Sequence, residues 1–127
     1  MRRGRVIIVD DDRQVRRALQ RLLRVAGYEV EALEDAAAYL SHGPVEPPAC
    51  MLLDLRMPGM SGLELLRAIS GTPSALPVVL ISGHADELTR SEALAAGATE
   101  MLEKPIDEAW LLQAVEQALA QAARPGH

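Results

Sequence analysis

Five short apolar runs, each followed by a stretch of helical periodicity, constrain this chain more than any other feature. Arg5-Val6-Ile7-Ile8-Val9 is β-branched and stops abruptly at Asp10-Asp11-Asp12. A continuous apolar run of that length reads as a buried strand of parallel type. Behind it Val15, Ala18, Leu19, Leu22, Leu23 and Ala26 recur at three- and four-residue steps. That is an amphipathic helix, with Arg13, Arg16, Arg17, Arg21 and Arg24 assigned to its wet side and Gly27 as its stop. Tyr28 to Leu33 alternates apolar residues with Glu, as an edge strand near solvent does. The spacing predicts a short helix over 35–41, a loop over 43–48 and a third strand over 49–53. Ser61 to Glu64 has capping-box spacing, so a helix starts there and runs to about Ser70. Residues 71–75 break the chain before a fourth strand over 77–81 and a loop over 82–86. A helix over 87–96 is stopped by Gly97, and a fifth strand covers 99–102. From about Asp107 a last helix is expected to bury Leu112, Val115, Leu119 and Ala122, with 124–127 a terminal tail. Five strands alternating with five helices predict a doubly wound, parallel α/β sheet.

A length of 127 residues suits one domain, here taken as 1–127 with an ordered core of about 4–123. With 49% apolar residues and no Phe, the core must be built from Leu, Val, Ile, Ala and Met. A net charge of −5 without a basic tail argues against nucleic-acid binding by this segment alone. Cys50 is the sole cysteine, so no disulfide framework exists and a reducing cytoplasm is the expected compartment. The first apolar run is too short for a signal peptide, and no stretch approaches membrane length.

In doubly wound sheets the ligand crevice lies beyond the carboxyl ends of the strands. Strand one ends in Asp10, Asp11 and Asp12, strand three in Asp54, strand four in Ser82 and strand five in Lys104. Carboxylates on neighbouring strand ends repel unless a cation intervenes. A hard divalent ion solves that problem, and Mg²⁺ needs few carboxylates because it keeps its waters. Ser82 offers a hydroxyl and Lys104 an ammonium, which with the metal would hold phosphoryl oxygens on Asp54. Asp54 is then the nucleophile that forms an aspartyl phosphate. Taken singly, each residue has a plainer use: Asp12 as an N-cap, Ser82 in a turn, Lys104 in a solvated loop. The joint pattern is what points to chemistry.

The residues "VIIVDDD" at 6–12, "LLDLRMPGMSGLELL" at 52–66, "VVLISGHAD" at 78–86 and "AGATEMLEKP" at 96–105 carry a family resemblance. The chain resembles the receiver domain of bacterial two-component response regulators, most closely the FixJ-type subgroup, over nearly its whole length. The resemblance implies a flavodoxin-like sheet of order 2-1-3-4-5. It implies Mg²⁺ held by Asp11, Asp54 and the Arg56 backbone carbonyl, with Asp10 assisting through water. It further implies phosphotransfer to Asp54 from the phosphohistidine of a sensor histidine kinase, a domain that assists its own dephosphorylation, and a cis Lys104–Pro105 peptide. The output would pass through the face formed by the fourth helix, fifth strand and fifth helix, with a weak phosphorylation-dependent homodimer. One departure stands out, since Met101 occupies the place of the family's switch aromatic. The pairing surface is expected around Leu88, Ser91, Ala95 and Met101. Two other aspartyl-phosphate or phosphate-binding classes fit less well. A haloacid-dehalogenase-type phosphatase needs Thr or Val where Gln14 stands, and three carboxylates after strand one would repel the phosphate of a flavin nucleotide.

Overall fold

In a computed structural model, residues 3–84 and 86–122 are described. The chain runs β1 (Arg5–Val9), α1 (Arg13–Val25), β2 (Glu29–Leu33), α2 (Ala36–His42), β3 (Ala49–Asp54), α3 (Gly62–Ile69), β4 (Val78–Ser82), α4 (Glu87–Ala95), β5 (Glu100–Glu103) and α5 (Glu108–Ala122). The strands form one parallel sheet in the order β2-β1-β3-β4-β5, as expected. The tail at 124–127, Ala123 at the end of the anticipated core and Ala85 in the β4–α4 loop lie outside the described residues.

Strand alternation divides the apolar residues between two layers. Ile7, Val9, Met51, Leu53, Val78, Leu80 and Met101 pack under α2, α3 and α4. Val6, Ile8, Cys50, Leu52, Val79, Ile81 and Leu102 pack under α1 and α5. Every residue of β3 and β4 is buried, whereas β2 is half-buried throughout, which is the edge position its Glu alternation predicts. The two tyrosines are buried and Trp110 is 68% exposed. Burial pushes the Cys50 thiol up to about 12, so it serves as a small apolar side chain.

Short polar side chains open most of the helices. Asp12 caps α1 by accepting from the Gln14 and Val15 amides, Asp35 caps α2, Asp86 caps α4, and Ser61 and Glu64 form the reciprocal capping box of α3. Gly27 ends the α1 turn with φ +99° and Gly97 follows α4 with φ +106°, a region other residues avoid.

Several details differ from the sequence expectation. The inner stripe of α5 is Leu111, Ala114, Val115, Ala118 and Leu119, while Leu112 is only partly buried. The helix therefore sits rotated toward its small residues, which let it lie close to the sheet. Ala18 of α1 is exposed. Met101 is 2% exposed and belongs to the core, so it does not line an outer surface with Leu88, Ser91 and Ala95. Arg16 is not on the wet side, because its guanidinium turns back onto the end of β1. The Lys104–Pro105 peptide is cis, and so is Pro47–Pro48.

Candidate functional site

The sheet register is what assembles the site. Val9 pairs with Leu53, and Asp54 pairs with Ile81. Asp10 and Asp54 each stand at the carboxyl end of their strands, adjacent across β1 and β3. Ser82 closes β4, and its carbonyl accepts the Lys104 amide at 2.8 Å, so β5 delivers Lys104 to the same edge. Asp10, Asp54 and Ser82 are the buried polar residues among those described, a costly placement that needs a compensating partner.

Ligand oxygens of Asp10, Asp11 and Asp54 all lie within 4.8 Å of one another. Lys104 Nζ stands 3.8 Å from Asp54 Oδ1 and 3.9 Å from Asp10 Oδ2, close enough for Coulombic attraction and too far for a short hydrogen bond. Asp10 Oδ1 accepts the Asp12 amide at 2.8 Å, and Asp54 Oδ1 the Arg56 amide at 3.3 Å. Asp10 Oδ2 is fully buried with no hydrogen-bond partner.

The electrostatics follow from this crowding. Desolvation, reinforced by the neighbouring Asp10 charge and a hydrogen bond shared with Asp11, pushes Asp54 up to about 6, and Lys104 opposes it. Desolvation likewise raises Asp10, against the Asp12 amide and Lys104. Two neighbouring carboxyls with raised affinity for a proton form a place where positive charge is wanted. An orphaned buried oxygen, an exposed acid beside it and an all-oxygen donor set fit a hard divalent cation. The cluster differs from ordinary exposed acids in that two of its three members are buried.

Ser82 stands at the end of β4 as expected, and its hydroxyl bonds to His84 and not to Asp54. Its hydroxyl donates to the His84 carbonyl at 2.9 Å and accepts the His84 amide at 3.0 Å, a local turn motif. Thus the structure brings together Asp10, Asp11, Asp54 and Lys104 and leaves the Ser82 hydroxyl bonded to His84. Two contributors escape a sequence reading. Gly62 passes so near β3 that an added Cβ would lie 2.3 Å from the Asp54 carbonyl oxygen. Its capping-box place in the sequence explains the helix start and conceals this approach. Arg16, four residues past the Asp12 cap, donates from Nη1 to the Asp10 carbonyl at 2.7 Å. Nothing in its neighbours along the chain separates it from the other α1 arginines.

An acidic pocket at the carboxyl edge of a 2-1-3-4-5 parallel sheet, faced by a lysine from the last strand, defines a receiver-type signalling module. The chain belongs to the response regulator receiver domain family, whose sequence model matches residues 6–116. Among curated proteins it is 37% identical over 120 residues to the transcriptional regulatory protein FixJ of Bradyrhizobium diazoefficiens, covering 94% of this chain and 58% of FixJ. It is 40% identical over 114 residues to the C4-dicarboxylate transport transcriptional regulatory protein DctD of Pseudomonas aeruginosa, covering 90% of this chain and 25% of DctD. Its fold matches the crystal structure of FixJ-N with a TM-score of 0.88 and 35% identity, over 98% of this chain and 99% of that one. The chain therefore spans little more than half the length of FixJ. No helix of the described residues is long and apolar enough to cross a membrane.

Proposed function

We propose that residues 1–127 act as a single phosphoacceptor domain in which Asp54 takes a phosphoryl group from the phosphohistidine of a sensor histidine kinase. The observation that carries this reading is the buried Asp54 carboxylate, 3.8 Å from Lys104 and within one cluster with Asp10 and Asp11. An Asp54 oxygen attacks the phosphorus. The P–N bond of the donor breaks, its electron pair returns to the imidazole, and an acyl phosphate forms. At neutral pH Asp54, with its pKa near 6, is mostly ionised and ready for this attack. Lys104 counters the charge that develops on the phosphoryl oxygens, and Ser82 leaves His84 to donate to one of them. Asp11, Asp54 and the Arg56 carbonyl would hold Mg²⁺ directly, and Asp10 through water. That ion, when bound, supplies the charge that lets an anionic phosphoryl donor approach three carboxylates.

The same groups orient a water for hydrolysis of the acyl phosphate, so the domain assists its own dephosphorylation and is not an enzyme toward other substrates. Movement of Ser82 alters the α4-β5-α5 face, which controls an output domain or partner, in keeping with the transcriptional regulators to which the chain is similar. The domain works in the cytoplasm and does not itself bind nucleic acid.

The test is intact-mass spectrometry after incubation with acetyl phosphate, with Mg²⁺ or with EDTA. The expected outcome is addition of one phosphoryl group in Mg²⁺ only, and none to Asp54→Asn. Labelling of Asp54→Asn to the same extent, or labelling in EDTA, would overturn the assignment.

A further inference from the structure

Five arginines project from α1, and one of them does something different. Arg13, Arg17, Arg21 and Arg24 are exposed, and among the described residues no hydrogen bond or ion pair joins them to another side chain. Arg16 is half-buried, and its Nη1 donates at 2.7 Å to the main-chain carbonyl of Asp10. That carbonyl belongs to the residue just past β1, where the ladder with β2 has run out. The Asp10 amide still reaches the Leu33 carbonyl at 3.1 Å, yet Leu33 is the last residue of β2. Asp10 is 2% exposed, so its carbonyl is removed from water and needs a donor. Arg16 supplies a charge-assisted one.

We infer that Arg16 is a positioning residue that fixes the acidic β1–α1 loop in its cation-binding shape. Three linked contacts define that loop. Asp12 Oδ1 caps α1, the Asp12 amide holds Asp10 Oδ1, and Arg16 holds the Asp10 carbonyl. The first two fix the Asp12 and Asp10 side chains. The third fixes the Asp10 peptide plane, and with it the direction in which the chain presents the next residue, Asp11. Among the described residues the exposed Asp11 carboxylate shares a hydrogen bond with Asp54 alone, so its place within the cluster still depends on that plane. The guanidinium acts through the backbone and leaves every cluster carboxylate free of a competing arginine bond. A lysine in its place would keep one donor and lose the fork. This inference rests on the reading of Asp11 and Asp54 as metal ligands.

The experiment compares the native chain with Arg16→Met, Arg16→Lys and, as a control for the site itself, Asp11→Asn. Mg²⁺ affinity is measured by calorimetry, the melting temperature in EDTA reports the fold, and acetyl phosphate labelling is followed across Mg²⁺ concentrations. Arg16→Met should weaken Mg²⁺ binding about 10-fold or more, the usual scale for loss of a group behind the metal ligands. Labelling should need correspondingly more Mg²⁺ and approach the native rate at saturation, with Arg16→Lys in between. Unchanged affinity in Arg16→Met would overturn the inference. So would a lowered melting temperature with affinity retained, which marks a fold-stabilising role only. If Arg16→Met does not fold, the Arg16→Lys comparison decides on the same two readouts. Native-like Mg²⁺ binding by Asp11→Asn would instead overturn the reading of the site and leave the Arg16 geometry untouched.

Discussion

Asp54 is held by β3 in a place where its ionised form is disfavoured, and that placement has a measurable cost. An Asp in an unfolded chain titrates near 3.9, whereas burial and the adjacent Asp10 push Asp54 up to about 6. Between those values the folded protein keeps a proton that the unfolded chain has released. Stability of the metal-free protein therefore falls as pH rises from about 4 to 6 and stays reduced above that. Two pH units correspond to roughly 2–3 kcal/mol. Asp54→Asn removes the titrating group and retains its shape. In EDTA at pH 7.5 it should melt several degrees above the native chain, and the gap should close toward pH 4. Parallel melting profiles for the two proteins across that range would contradict this account. Mg²⁺ at tenfold its Kd should return about 1.4 kcal/mol to the native chain, and little to Asp11→Asn. The same crowding that destabilises the metal-free protein favours a cation among these carboxylates.

At the scale of elements, the site depends on how closely α3 can approach the turn that follows β3. The Gly62 amide donates to the Leu55 carbonyl at 2.9 Å, and its missing side chain leaves room for the Asp54 carbonyl. A Cβ there would lie 2.3 Å from that oxygen and 2.9 Å from the Leu55 Cα, both of them backbone atoms that cannot swing away. Gly62→Ala should destabilise the protein by about 1–3 kcal/mol, as overpacking does, and should slow acetyl phosphate labelling because Asp54 must shift with its carbonyl. Chemical denaturation and labelling rates check both, and a variant with native values for each would show that α3 simply slides outward. The elements themselves were legible because each carries a local cause. β-branched runs, the Asp12 and Ser61 caps, and the glycines after α1 and α4 all act within a few residues of themselves. Strand-end acids were legible too, since topology alone carries strand ends to one edge. Arg16, Gly62 and the rotation of α5 toward Leu111 were not, because each is settled by a contact with another element. The Ser82 hydroxyl lay between these cases, as its turn partner is local and the partner proposed for it on a phosphorylated Asp54 is not.

For the whole molecule, the question is how far one phosphoryl group can move a population. A charge-assisted hydrogen bond contributes roughly 1.5–3 kcal/mol, while shifting a two-state equilibrium from 1:99 to 99:1 takes about 5.5 kcal/mol. Ser82 must also give up two bonds to His84. Ser82 alone thus brings a 1:99 population to no better than about parity, and further stabilisation must come from the core behind it. In the receiver domains this chain resembles, an aromatic ring turning inward would add that stabilisation. Met101 is already 2% exposed, packed in the layer with Leu80 and Ala93, while Arg90 Nη1 donates to its carbonyl at 2.9 Å. A side chain that is already inside has no inward move left to contribute, and its flexible stem blurs the difference between states. Among their large apolar residues α4 and α5 then expose Leu88 at 70%, Leu94 at 50% and Trp110 at 68%, against the 1,200 Å² or so that a stable interface buries. Activation should therefore be graded, with only a weak dimer. Sedimentation velocity of beryllofluoride-treated protein should show mostly monomer at micromolar concentration, and Met101→Phe, which restores a ring able to move, should dimerise more strongly under the same treatment. A tight dimer of the native chain that Phe does not strengthen would mean that Met101 transmits the phosphorylation signal in full from its buried position.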